Sequence, residues 1–504
     1  MLRFFGGGKP DHPMADAGAA RKILEAIPAG DPLKAIEALN HWLESVGAAE
    51  GFKPEHRAQR VQAIDDAAQM HLRKLQRDYL STPRLSKFHE NRLWTSIYGY
   101  WKQSALAFAT CIDLYATGQK GADRLENILP LLTVRALRAL AAQMKWQYVR
   151  YSPCENFIWG VVARIYALAE NRNFARTRVT VYPGVPGESS PEQEFLKAVM
   201  LSASSPDSLL PDEIELAERL IAHFSASFTL RLDQQPDIAY WIDLATDRPP
   251  LRLARPPQHA PTLRFFAAGK AAQELTQLIQ TVTTTNAVPS GVALGGNYQP
   301  EVVLDVLNHL ALYWSPKPPE RKAPRHRVKS RLSATHGFDG VLAALDRSTS
   351  LDFDESRTES WIIENVSAGG FGASIPQIKG EWVKIGCLVG LQPEGGSNWI
   401  IGVIRRFTRE SPQQGTVGIQ TLARAALTLQ SGTGADAGTV ILLNPSDDGA
   451  EAHLLLRPGV LVSGRNLEIE RNGKLFLLMP AGVTDRGDDY EIIRCRQMIR
   501  ETGE

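Results

Sequence analysis

The 504-residue sequence predicts a multidomain α + β protein: an N-terminal α-helical bundle or solenoid, then an antiparallel β-barrel or sandwich, then a further C-terminal β element. Three observations carry this. Helical periodicity runs from about residue 15 to 226, a proline- and arginine-rich stretch interrupts the chain at 315–331, and short strands between Gly, Pro, Asn and Ser turns fill the remainder. The length agrees, since roughly 100 to 200 residues per domain gives about three domains.

The helical reading rests on stripes. Val61, Ile64, Ala68, Leu72, Leu75 and Tyr79 recur at three- and four-residue steps, with Gln69, Arg73, Lys74, Gln76 and Arg77 on the other face. Trp159, Val162, Tyr166 and Ala169 repeat the pattern, and 86–118 behaves alike. Such aromatic stripes are read as packing between helices. Residues 1–226 are therefore taken as the helical region. No repeat of fixed period chooses between bundle and solenoid. From 227 to 314 the character is mixed, with strands expected in "FTLRL" (228–232), "AYWIDL" (239–244), "LRLAR" (251–255) and "TLRFFA" (262–267), and helices at 269–283 and 300–314.

The joint "SPKPPERKAPRHRVKSR" (315–331) holds four prolines and seven Lys or Arg against one acid, Glu320. Proline at that density excludes helix and favours extended chain, which marks a domain boundary. The arginines exceed what a linker needs. They are either a solvated basic connector or crude nucleic-acid patch, or an anion clamp at the mouth of the next domain. Strands are expected in "WIIENV", "EWVKIGCLVGLQ", "WIIGVIRRFTR" and "TVGIQTLARAAL", giving a β domain over 321–430. The β-rich extension 431–504, with a hairpin signal at Asn472-Gly473, either enlarges that domain or forms a second one.

Composition excludes several classes. Lys plus Arg number 56 against 55 Asp plus Glu, so no global field favours a nucleic-acid polymer or an anionic membrane. Cys111, Cys154, Cys387 and Cys495 stand far apart, and the eleven histidines form no HExxH or Cys/His cluster, so neither structural zinc nor a disulfide framework is expected. "MLRFFGGGKP" lacks a signal core, and no apolar run reaches the ~20 residues of a membrane span. A cytoplasmic protein without cofactor is expected.

The segment "ENVSAGGFGAS" (364–374) is the most particular. As a dinucleotide loop it lacks the third glycine and the following helix, and as a P-loop it lacks the GK[ST] lysine. A turn between strands remains. With the joint, however, it forms an ordered set. Arg321-Lys-Ala-Pro-Arg325 ahead of a first strand and Asn365-Val-Ser367-Ala-Gly-Gly370 after a later one resemble the RxxxR and [D/N]xSxxG motifs of the PilZ domain family, over about residues 320–430.

The resemblance implies a six-stranded barrel that binds cyclic di-GMP, two guanines on a ring of two phosphates. A guanidinium fork matches guanine O6 and N7 and also bonds phosphate, which are the roles implied for Arg321 and Arg325. Asn365 and Ser367 would bond the remaining guanine edge or a phosphate, and Gly370 would admit backbone and base. Arg327 belongs to an overlapping register, Arg327-Val-Lys-Ser-Arg331, and is a possible further contact, as is Arg406 of "GVIRRF". Arg405 and Arg406 are otherwise read as one exposed and one paired with a carboxylate. Trp361 is expected in the barrel core, with stacking on a base as the alternative. The motifs lie 40 residues apart, which leaves room for an insertion at 332–359.

The function expected is non-enzymatic: a cyclic di-GMP receptor whose helical region turns relative to the barrel and acts on an unidentified protein partner. The alternative is a PilZ-like scaffold without ligand. A hydrolase would have to use Asp352, Asp354 and Glu355, whose alternation with Leu351 and Phe353 instead reads as an acidic edge.

Overall fold

The computed structural model describes residues 10–500 except 83–84, 256, 321–323, 348–357, 397, 432–437, 447–450, 461–465 and 472–473. Arg321, the Asp352–Glu355 acids and the Asn472-Gly473 turn thus lie outside the described residues. The chain divides into two compact units, one covering residues up to Glu320 apart from 207–210, the other running from Arg321 onward.

The first unit opens with helices α1 (Ala17–Glu25), α2 (Pro32–Ala48), α3 (Pro54–Ser81), α4 (Lys87–Ala116), α5 (Leu129–Tyr148) and α6 (Asn156–Asn171). Their starts follow from local chemistry. Asp16 accepts bonds from the Gly18 and Ala19 amides, Asp31 from Lys34, and proline occupies the first turn of α2 and α3, where its missing N–H costs nothing. A two-stranded ribbon, β1 (Val179–Thr180) with β2 (Glu188–Ser189), leads to α7 (Pro191–Ala203) and α8 (Pro211–Phe224). The helices gather around α4 and α5 as a bundle, α4 packing on α2, α3, α5 and α6.

The apolar stripes face inward as the periodicity predicts: Val61, Ile64, Ala68 and Leu72 on α3, and Trp159, Val162, Tyr166 and Ala169 on α6, are all buried. Gln76 departs from its expected place, being buried with them. Strands β3 (Thr229–Arg231), β4 (Tyr240–Asp243), β5 (Leu251–Arg252) and β6 (Leu263–Ala267) form a sheet of order β3-β6-β4-β5, followed by α9 (Ala271–Thr285) and α10 (Pro300–Trp314). The Tyr240 hydroxyl donates to the Tyr313 carbonyl at 2.8 Å and ties sheet to helix.

Charges are buried in this unit and paired. Arg138 on α5 meets Glu194 on α7 at 2.6 Å, and Lys197 meets the same carboxylate at 2.7 Å. Burial by itself raises the Glu194 carboxyl, but the Arg138 and Lys197 charges outweigh it and hold the group at about 2, well below an ordinary glutamate. Because the folded-state value is depressed, its stabilisation is present above about pH 4.5 and is lost as pH falls towards 2. At most about 3 kcal/mol is involved, by about 1.4 kcal/mol per pKa unit. Thermal unfolding scanned from pH 6 to pH 2 should lose stability in that window, and Glu194→Gln should flatten the slope there; an unaltered slope would remove this carboxylate from the acid response.

In the second unit β7 (His326–His336), β8 (Glu359–Ser367), β9 (Gly370–Ile375), β10 (Leu388–Pro393), β11 (Ile400–Arg409) and β12 (Gly415–Ala423) close an antiparallel barrel in the order β10-β11-β12-β9-β8-β7. Trp361, Ile363, Ala373, Ile404, Phe407, Val417 and Ile419 are buried by the alternation expected of a barrel wall. Two strands differ from expectation. In "EWVKIGCLVGLQ" the strand begins only at Leu388, because Gly386 takes φ +80° and the preceding stretch turns to lay Trp382 against Trp361. "TVGIQTLARAAL" divides at Arg424, where Asn444 accepts the Arg424 amide and donates to the Leu422 carbonyl, both at 3.0 Å.

The C-terminal part of the chain forms a second sheet: β13 (Ala426–Ser431), β14 (Gly438–Leu443), β15 (Glu451–Leu456), β16 (Leu467–Arg471), β17 (Lys474–Arg486) and β18 (Glu491–Arg500), in the order β13-β14-β15-β18-β17-β16. One face buries Leu442, Leu454, Phe476 and Ile493 in a core of its own. The other face packs Ile441, Leu455 and Tyr490 against Leu388 and Val403 of the barrel. Between them lies helix α11 (Gly337–Arg347), an insertion between β7 and β8 that contributes Phe338 and Val341. Asp489 accepts the Phe338 amide at 2.6 Å, and the pairs Arg405–Asp485, Lys384–Asp488 and Arg457–Asp339 add polar ties. The insertion thus lies over the β10–β11 side of the barrel.

Candidate ligand-binding site

A single row of residues crosses five strands on the outer face of the barrel. Arg327 on β7 pairs with Asn365 on β8, Asn365 with Gly372 on β9, Gly372 with Gly418 on β12, and Gly418 with Arg406 on β11. Two bulges bring Asn365 and Arg406 into it, beside a third irregularity between Arg327 and Ser330 on β7. Asn365 shares the sequence parity of Trp361 and Ile363, both buried inside, and simple alternation would turn it inward. The β8–β9 register passes from Ile363↔Ala373 to Asn365↔Gly372, so Glu364 is an extra residue and Asn365 emerges on the outside. In β11 the register passes from Ile404↔Ile419 to Arg406↔Gly418, leaving Arg405 as the extra residue.

Polar side chains lie over the row's two glycines. A Cβ at Gly372 would stand 2.6 Å from Asn365 Nδ2 and 2.8 Å from Oδ1, and one at Gly418 would stand 3.2 Å from the Arg406 Cβ. The Asn365 Oδ1 is buried and has no hydrogen-bond partner among the described residues. Leaving such an acceptor unmet costs about 1 to 3 kcal/mol, so the position is expensive to keep and favourable to a ligand bearing an N–H. Arg327 is exposed, and Arg325, one residue ahead of β7, is exposed as well. Arg405 is spent elsewhere, Nε donating to Gln420 Oε1 at 2.8 Å and the guanidinium pairing with Asp485.

The rest of the glycine-rich segment is a hairpin turn. Ser367 pairs with Gly370 across Ala368-Gly369, and its hydroxyl donates to the Gly370 carbonyl at 3.2 Å. The Thr421 amide donates to the Gly369 carbonyl at 3.0 Å, and Arg424 Nη2 to the Ala368 carbonyl at 3.2 Å, which pins the tip to the end of β12. Gly370 faces β12, since a Cβ there would overlap the Ile419 carbonyl oxygen. Strand approach by itself requires glycine at this position. Trp361 is fully buried, stacks on Trp382 with centroids 5.5 Å apart, and shares the Glu359 carboxylate with it through indole N–H bonds of 3.1 and 3.2 Å. Its place is the core.

The row therefore unites Arg327, Asn365 and Arg406 from the expected set. Gly372 and Gly418 escaped the sequence reading; for Gly372 the signal available was a glycine at every second position of "GGFG", which marks a strand face that neighbouring groups approach closely.

Comparison with family models gives two matches. Residues 345–427 match the model described as the middle PilZ domain of the cyclic-di-GMP receptor FimW. The chain carries a PilZ domain. Its match takes in Asn365, Ser367, Gly370 and Arg406 and begins after Arg325 and Arg327. Residues 18–236 match the N-terminal domain of the same receptor, so the helical region, which no motif in the sequence assigned to a family, is similar to a domain that accompanies PilZ there. The comparison with curated proteins returned no match. Among the described residues no helix is long and apolar enough to cross a membrane, and no cluster of His, Cys, Asp and Glu could hold a metal ion.

Proposed function

We propose that the protein is a cytoplasmic receptor for cyclic di-GMP, which binds along the outer row of the PilZ barrel. The observation that carries the reading is the row itself, two arginines flanking two glycines, with a buried, unpartnered Asn365 Oδ1 lying over one of them. Guanine N1–H and its amino group are the donors that this oxygen lacks, while O6, N7 and the phosphates are acceptors for guanidinium forks. Arg327 supplies such a fork from the row and Arg321 and Arg325 from the joint, which would close over the ligand as it binds. Ser367 and Gly370 act by shaping the turn that holds Asn365 in place.

Ordering of the joint would change the orientation of the helical unit relative to the barrel, and with it the surface offered to a protein partner. The shared family of both matched segments supports the receptor reading over a scaffold without ligand. Calorimetric titration of the full chain with cyclic di-GMP, beside GTP and cyclic GMP, tests it. Saturable heat with cyclic di-GMP alone is expected, and a flat trace at tens of micromolar protein (Kd values of that order correspond to about 6 kcal/mol) would leave only the scaffold.

A further inference from the structure

The bundle holds a groove of about 480 Å³ between α3 and the segment that follows β1. Its floor is apolar, made by Met70, which is 67% exposed, with Pro183 and Val185 opposite. Arg73, Lys74 and Arg77 line one end, all exposed, and none of the three has an ion-pair partner among the described residues. Less exposed cations of this unit are matched instead, as in Arg138–Glu194, Lys145–Glu215 and Arg264–Glu170.

The groove is preformed. The buried Arg135 guanidinium donates to Asp66 on α3 at 2.7 Å and to the Val181 carbonyl on the opposite wall at 2.7 Å, and lies 4.6 Å over the Tyr182 ring. One side chain locks both walls and neutralises the Asp66 carboxylate at the rim. A rigid site of this kind loses little ordering entropy on binding.

We propose that this groove receives an acidic amphipathic helix of a partner protein. Arg73 and Arg77 stand one helical turn apart, about 6 Å along α3, which is the spacing of carboxylates at i and i+4 on a helix laid alongside. Met70, one turn before Lys74, meets the apolar stripe of the same helix. The inference rests on the helical unit being the partner-facing module, but not on nucleotide binding.

The test is fluorescence anisotropy of a labelled synthetic helical peptide carrying Glu at i and i+4 beside a Leu stripe, titrated with the full chain in the absence of nucleotide. Saturable binding is expected, weakened about tenfold or more by the triple change R73E, K74E, R77E and weakened at high salt, since three exposed charge contacts are each worth a fraction of a kcal/mol and reversal adds repulsion. Met70→Ser should weaken it separately, and Ser-for-Leu or Lys-for-Glu peptides should bind at background level. All four side chains are exposed, and matching melting curves establish that the variants fold. Absence of binding, or binding indifferent to the triple change, overturns the proposal. So does a single-stranded DNA oligonucleotide that displaces the peptide and binds more tightly, which would make the groove a nucleic-acid site.

Discussion

Arg325→Ala and Arg327→Ala should each weaken cyclic di-GMP binding by about 1.5 to 3 kcal/mol, roughly tenfold to more than a hundredfold, in calorimetric titration. The size follows from what is removed. Each guanidinium would make charge-assisted or bidentate bonds to phosphate or to guanine, stronger than neutral ones, and alanine offers no replacement. Arg321→Ala belongs in the same series, because the RxxxR register begins there. The pattern of losses discriminates. A large loss at Arg327 with its partner Asn365→Ala following suit assigns the ligand to the row on the outer face. Losses at Arg321 and Arg325 with Arg327 silent would move it to the joint alone. Three unaltered affinities would remove both arginine registers from the site.

Gly370→Ala should destabilise the barrel by about 3 kcal/mol, the upper end of ordinary overpacking, because the new methyl meets the backbone carbonyl of Ile419 and neither strand can yield without breaking the β9–β12 ladder. Denaturant unfolding should register the whole effect. Gly372→Ala makes the informative contrast. The nearest atoms to its methyl are those of the Asn365 amide, the end of a side chain that can swing away, so stability should change by less than about 1 kcal/mol while ligand affinity falls. Equal stability losses at the two positions would mean that Asn365 is locked in place and that the row is structural.

Most of the architecture was legible residue by residue. Helices α3 and α6 were written in their apolar stripes, and the four-stranded sheet of the first unit lies where its short alternating segments were read. The misread portions share a cause. "WVKIG" has the composition of a strand, yet Trp382 is held by stacking on Trp361 and His336, contacts with the neighbouring strands β8 and β7 that no local propensity records. Helix α11 likewise gains its place from Asp489, about 150 residues later, which accepts its first amide. In the site, the motif residues were legible as types, and their pairing was not. Ser367 and Gly370 look like ligand contacts in sequence; the structure adds that one closes a turn and the other makes room for a neighbouring strand.

Composition, periodicity and turn placement thus sufficed to dictate helices first and antiparallel strands last, since these depend on neighbours within a few residues. Which face Asn365 and Arg406 take was decided only on folding. Strand alternation assigns both to the barrel interior, and a single extra residue before each, Glu364 and Arg405, reverses that assignment. Bulges are set by the register between strands, and register is determined by burying Trp361, Ile363, Ala373 and Ile419 together, a long-range condition that no stretch of sequence contains by itself.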